Sequence, residues 1–162
     1  MARPLRTLHP LAAIVAAVLT GSAAGAAEAI EPCALLTAEQ VATVIPDAGE
    51  GDVDHAGPAL IAGVDAYQCS YLNATFDLLT VVLNVAADDE SFADLEPSLS
   101  LDEGDERLDI ADGGRLHGDA DDLKVTVIKG RTVIDLELLA AGARSKSGQL
   151  IDLARAIAEQ LS

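Results

Sequence analysis

From Leu123 onward the chain alternates: Leu123, Val125 and Val127 are separated by Lys124 and Thr126, and Ile134, Leu136 and Leu138 by Asp135 and Glu137. A period of two sends successive side chains to opposite faces of a strand, so both runs are predicted to be strands with one buried face. Lys129-Gly130 between them supplies a turn, which makes the pair a hairpin. The period then changes. Leu150, Leu153, Ala154, Ile157, Ala158 and Leu161 recur at helical spacing, with Asp152, Arg155 and Glu159 on the other side, so the chain is expected to end in an amphipathic helix capped by Ser147.

The first half carries weaker punctuation. Leu36, Val41, Val44 and Ile45 form the apolar face of a first helix, with Thr37 and Gln40 in capping-box positions and Pro46 as its stop. Residues 47–63 are rich in Gly and Asp and read as a loop. A short strand at 67–71 and a turn at Asn73-Ala74 lead to a strand at 76–85 that is apolar on both alternating sets. Leu78 and Val82 make one set; Leu79, Val81, Leu83 and Val85 make the other. Two covered faces and a central place in a sheet follow. A second helix is predicted near 90–95, with Phe92 and Leu95 inward and its end before Pro97, and residues 101–122 read as loops around a weak strand at 107–111. The order helix, strands, helix, strands, helix predicts an α+β fold, with helices packed on a mostly antiparallel sheet. It also hints at a twice-used helix-plus-hairpin unit, although no residue-level repeat accompanies it.

The N-terminus changes the picture. Arg3 and Arg6 precede the apolar run from Leu11 to Leu19, and small residues then offer cleavage sites at Ala24-Gly25-Ala26 or Ala27-Glu28-Ala29. This is the form of an export signal over residues 1–26, with 29 as the alternative end, leaving one domain at 27–162. The apolar run is shorter than the roughly 20 residues that span a bilayer, so no membrane insertion is expected once the signal is removed. A secreted protein, periplasmic or extracellular, is the expectation.

Charge is distributed unevenly. Between Arg6 and Arg107 there is no lysine or arginine, although the stretch holds 18 of the 27 acidic residues, and the formal net charge of the whole chain is -17. Such a surface argues against nucleic acid and anionic lipid membranes as partners, because binding either depends on clustered Lys and Arg. It leaves an unknown protein or a cationic ligand, or simple solubility. Aromatic side chains are confined to Tyr67, Tyr71, Phe76 and Phe92, too few for the stacking platforms of sugar or single-strand binding.

Cys33 and Cys69 are the two cysteines, both beyond the signal, where oxidised pairs persist. A bridge between them would close a loop of roughly 37 residues and contribute about 3–4 kcal/mol in the chain-entropy model. Two free thiols or a metal pair are the alternatives, and neither has a histidine nearby. The run Pro32-Cys33-Ala34-Leu35-Leu36-Thr37-Ala38-Glu39-Gln40-Val41 resembles the opening of a family of small secreted domains and lipoproteins common in actinobacteria, of uncharacterised function. Cys69-Ser70-Tyr71, the Gly118-Asp119-Ala120 turn, Val127-Ile128-Lys129-Gly130 and the terminal leucine pattern extend the likeness over nearly the whole mature chain. The resemblance implies a pairing of the first and second cysteines and an α+β envelope domain, and it brings no catalytic residues. Many of that family look lipid-anchored through a cysteine after the signal, but Ile30-Glu31-Pro32 is not a lipid-attachment context, which leaves Cys33 to pair with Cys69.

Candidate chemistry is sparse. No Gly-x-Ser-x-Gly segment exists, and the histidines beyond the signal are His55 and His117, so a serine triad is not expected. Acids cluster at Asp102, Glu103, Asp105, Glu106, Asp109 and Asp112, and at Asp119, Asp121 and Asp122 beside His117. The EF-hand spacing is missing, so calcium at Asp119, Asp121 and Asp122 is a weak alternative, zinc through His117 a weaker one, and no metal or cofactor is expected. The expected function is an exported, non-enzymatic binding or interaction domain whose contact surface includes Asp52, Asp54, Asp102, Glu103 and Asp105. The alternatives are an envelope hydrolase using carboxylates and an inhibitor that caps a basic cleft of a secreted enzyme.

Overall fold

The computed structural model describes residues 30–95 and 99–161, so the predicted export signal with its expected cleavage sites, and Pro97, lie outside the described residues. A 3-10 turn, Pro32–Ala34, leads into helix α1, Ala38–Ala42, whose start is the predicted capping box: the Thr37 side chain accepts from the Gln40 N–H, and Gln40 returns the bond to the Thr37 N–H at 2.8 Å. Strands β1 (Asp52–Pro58), β2 (Val64–Leu72) and β3 (Leu78–Ala86) follow, then helix α2 (Asp89–Ala93). Strands β4 (Glu106–Leu108), β5 (Gly113–Gly118), β6 (Asp122–Lys129) and β7 (Thr132–Leu139) precede a second 3-10 turn and helix α3, Ser147–Gln160.

All seven strands join one antiparallel sheet in the order β1-β2-β3-β7-β6-β5-β4. Two meanders meet at the β3–β7 pair, and each follows a short helix. At the level of topology the repeated unit is therefore a helix with three strands, with β4 added at one edge, rather than a helix with a hairpin. The α+β expectation holds.

One face of the sheet is the core. Leu79, Val81 and Leu83 of β3, Leu123, Val125 and Val127 of β6, and Ile134, Leu136 and Leu138 of β7 are all fully buried there. Leu150, Leu153, Ala154 and Ile157 of α3 close over them, together with Val41, Val44 and Ile45 from the first helix and its end. Each large aliphatic side chain so buried contributes about 1.5–3 kcal/mol. Two long bonds tie the chain ends together over this face: Lys146 Nζ donates to the Val44 carbonyl at 2.7 Å and Gln160 Nε2 to the Leu35 carbonyl at 2.9 Å. Cys33 and Cys69 form a disulfide, with Cys69 in the core and Cys33 packed against it.

The other face departs from expectation. β3 is central, but Leu78 and Val82 are only half-buried. A small second cluster of Val64, Ala86, Leu95 and Val133, with Phe92 and Leu99 packed on it, covers one end of that face. The remainder is open. It presents rows such as Ser70, Thr80, Glu137 and Lys124, matched across β2, β3, β7 and β6, which is how an antiparallel sheet faces water on one side.

Two segments read as loops contain strands. β1 lies in 47–63 and is exposed or half-exposed at every residue; with a bulge between Val53 and His55, it is an edge strand recruited by the backbone of β2. β5 lies in 101–122 and is half glycine, with Leu116 its one buried side chain, so it has no alternation to detect. β4 is shorter than the strand expected at 107–111, and Ser147 is the first residue of α3 rather than its cap, which is Lys146.

Candidate functional site

The ends of β4, β5 and β6 build a corner around one carboxylate. Asp102 to Asp105 form a tight turn in which the Asp105 N–H donates to the Asp102 carbonyl at 3.1 Å, and Gly104 takes φ +98, a conformation glycine adopts without strain. The turn aims the Asp105 side chain, which is fully enclosed, at Arg115 Nη1 (3.2 Å) and His117 Nδ1 (2.6 Å), two residues apart on one face of β5. The Asp102 backbone N–H, donating to Asp105 Oδ2 at 3.0 Å, is the main reason that this carboxyl lies below the usual carboxylate range. His117 and Arg115 add to the effect, against the cost of burial. Arg115 Nη1 also donates to the Ser100 carbonyl, so one guanidinium straps the segment at 99–101 to the sheet.

Under that strap lies a half-open cavity of about 650 Å³. Leu99, Leu101 and Ile128 give it aliphatic walls, and Arg107 and Arg115, directly opposite one another in the β4–β5 register, give it charge. Its floor is bare backbone at Gly113, where a Cβ would meet no atom within 4 Å, while φ +144 favours glycine there. Asp112 lines the cavity but is committed to the next turn, since its Oδ2 accepts from the Gly130 N–H at 2.6 Å. None of Arg107, Arg115 or Gly113 stands in a motif that announces a site. A glycine pair beside two arginines in an otherwise cation-poor stretch is the one signal the sequence offers.

The acids singled out from sequence do not form one surface. Asp52 and Asp54 sit on β1 at one edge of the sheet, and Asp102, Glu103 and Asp105 flank β4 at the other, six strand spacings or about 29 Å away. Asp54 is turned to its neighbours, accepting from Gln68 Nε2 at 3.2 Å and from the Ser70 hydroxyl. The acidic segment that begins at Asp102 does meet the one at 117–122, at a smaller hollow of about 320 Å³ bordered by Glu103, His117, Asp119 and Asp122. Among the described residues, no group of three or more His, Cys, Asp or Glu side chains is placed to hold a metal ion. Asp119 Oδ1 instead accepts from the Asp121 and Asp122 N–H groups at 3.0 and 3.1 Å, the first of which is the chief cause of its lowered pKa, and Asp121 Oδ1 caps the Gly142 N–H at 2.8 Å.

The tyrosines beside Cys69 are packing residues: Tyr71 is buried, which raises its pKa, and its hydroxyl donates to the Cys33 carbonyl at 3.0 Å. His55 is exposed on β1. No helix among the described residues is long and apolar enough to cross a membrane. No protein family, curated protein or solved structure matches this chain.

The Asp105 contacts carry a pH prediction. Its folded pKa lies below the value of about 3.9 for an unfolded Asp, so the contribution is present above that value and is lost as pH falls through the lower, folded one. Stability measured by urea unfolding is expected to fall between pH 5 and pH 3 more steeply in the native protein than in Asp105→Asn. Equal slopes would show that the corner is not held by the ionised carboxylate.

Proposed function

We propose that the protein is an exported, non-enzymatic binding domain whose ligand enters the cavity beneath Leu99 and Leu101. The observation that carries this reading is the cavity itself. About 650 Å³ falls within the range of small-molecule sites, and its aliphatic walls with a few placed charges have the composition of such sites. Export is supported by the signal-like N-terminus and by the oxidised cysteine pair, which persists outside the cytoplasm. The likeness of Pro32 to Val41 to secreted envelope domains points the same way.

Carboxylate hydrolysis is less well supported. A general acid at neutral pH needs a carboxyl raised by burial, whereas Asp88, Asp105 and Asp119 are all lowered, each chiefly by a backbone N–H. The acids at Asp102 and Glu103 near the cavity, and those at Asp52 and Asp54 on the far edge of the sheet, serve the same proposal as solvating charges that repel other acidic surfaces.

An uncharged naphthylamine dye, which fluoresces on leaving water, tests the reading without depending on charge. It should bind the native protein with about one-to-one stoichiometry and be excluded by Ile128→Trp, whose indole would occupy the cavity, with the far-ultraviolet spectrum unchanged. Equal dye binding by both proteins, or none by either, would remove the cavity as the site.

A further inference from the structure

We propose that the cavity takes a single-chain aliphatic carboxylate, with its head group between Arg107 and Arg115 and its chain along Leu99, Leu101 and Ile128. This rests on the binding-domain reading above and names its ligand class. The starting point is a local conflict. Arg107 and Arg115 are directly opposite in an antiparallel pair, where like charges destabilise one another, yet the chain places them so while carrying a net charge of -17. A rule broken at one spot in an otherwise consistent fold points to function. Asp105 at Arg115 offsets part of the conflict, and an anion beside Arg107 would remove the rest.

The two arginines are not equivalent. Arg115 is tied to Asp105 and to the Ser100 carbonyl, so it is fixed as part of the wall. Lys124, Arg144 and Arg155 each lie within 4.0 Å of a carboxylate. Arg107 is exposed and makes no ion pair among the described residues, which leaves its planar fork available at the cavity mouth. That fork matches a carboxylate in two parallel hydrogen bonds.

Three features narrow the class further. The walls are aliphatic, and no aromatic side chain among the described residues lines the cavity, so a ring system finds no stacking partner there and a flexible chain finds continuous contact. The acidic chain disfavours a phosphate, which carries about −1.5 to −2 charges against one for a carboxylate. Asp109 also borders the cavity and makes no ion pair among the described residues, so it opposes the head group and weakens binding. That gives the proposal a second, opposite handle.

The test is calorimetric titration of the full exported protein with decanoate, decanol and acetate, beside the neutral dye. Decanoate is expected to bind at least about tenfold more tightly than decanol, acetate to show no binding, and the decanoate affinity to fall with added salt. Arg107→Gln should weaken decanoate about tenfold or more and leave decanol and dye unchanged, whereas Asp109→Asn should tighten decanoate several-fold. Decanol equalling decanoate, or Arg107→Gln and Asp109→Asn leaving decanoate unmoved, would overturn the proposal while dye binding keeps the cavity as a site. Loss of dye binding from the native protein would overturn both readings.

Discussion

Replacing both Cys33 and Cys69 by alanine is expected to lower the free energy of unfolding by about 3–4 kcal/mol. The cysteines are 36 residues apart in sequence, so the bridge removes from the unfolded chain the freedom of a long loop that holds α1, β1 and most of β2. The native state loses contacts as well. Cys69 is fully buried in the main core, Tyr71 hydrogen-bonds the Cys33 carbonyl, and a Cβ on Gly51 would stand 2.7 Å from Cys69 Sγ, so the chain is closely packed around the sulfurs. Single domains are stable by only about 5–15 kcal/mol, which makes this one bridge a large share of the whole. Urea unfolding with and without reductant gives the same comparison in the native sequence. A loss under about 1 kcal/mol, or mass spectrometry finding two free thiols in the protein purified without reductant, would show that the segment before β1 is held by packing alone.

The parts of the fold legible beforehand are those where burial writes a period. β6 and β7 bury alternate residues on one face, and α3 buries Leu150, Leu153, Ala154, Ile157 and Ala158 at the expected spacing, so pattern and structure agree. The capping box at Thr37 and Gln40 is local chemistry and was equally readable. β1 and β5 were not legible, because backbone pairing rather than a buried stripe makes them strands: β1 buries no side chain and β5 buries Leu116 alone. The candidate site failed for the same reason. Asp105 reads from sequence as one of a cluster of surface acids, but the β4–β5 register brings Arg115 and His117 onto it, and the register of a weak strand against one with no alternation cannot be inferred from composition. The cavity depends on that same register, which sets Arg107 against Arg115 and leaves Gly113 opposite Ile128.

The two faces of β3 should differ sharply when probed one residue apart. Leu83 is fully buried on the core face, paired with Tyr67 and Ile134, so Leu83→Ala removes buried methyl groups and leaves a cavity that the sheet cannot collapse, at about 2–5 kcal/mol. Val82 points to the open face between Gln68 and Asp135 and is half-buried. Val82→Ala removes less carbon, already partly in water, and should cost about 1 kcal/mol or less. Apolar residues on both faces of this strand predicted two covered layers, and the structure supplies a full layer on one face and a cluster at one end of the other. The difference between the two variants therefore reports whether the open face meets water. Urea midpoints at constant slope measure it. Equal losses, or a Val82→Ala penalty that appears only at high protein concentration, would mean that the open face is covered in solution by a second chain, and that the apolar pattern of β3 had been the better guide.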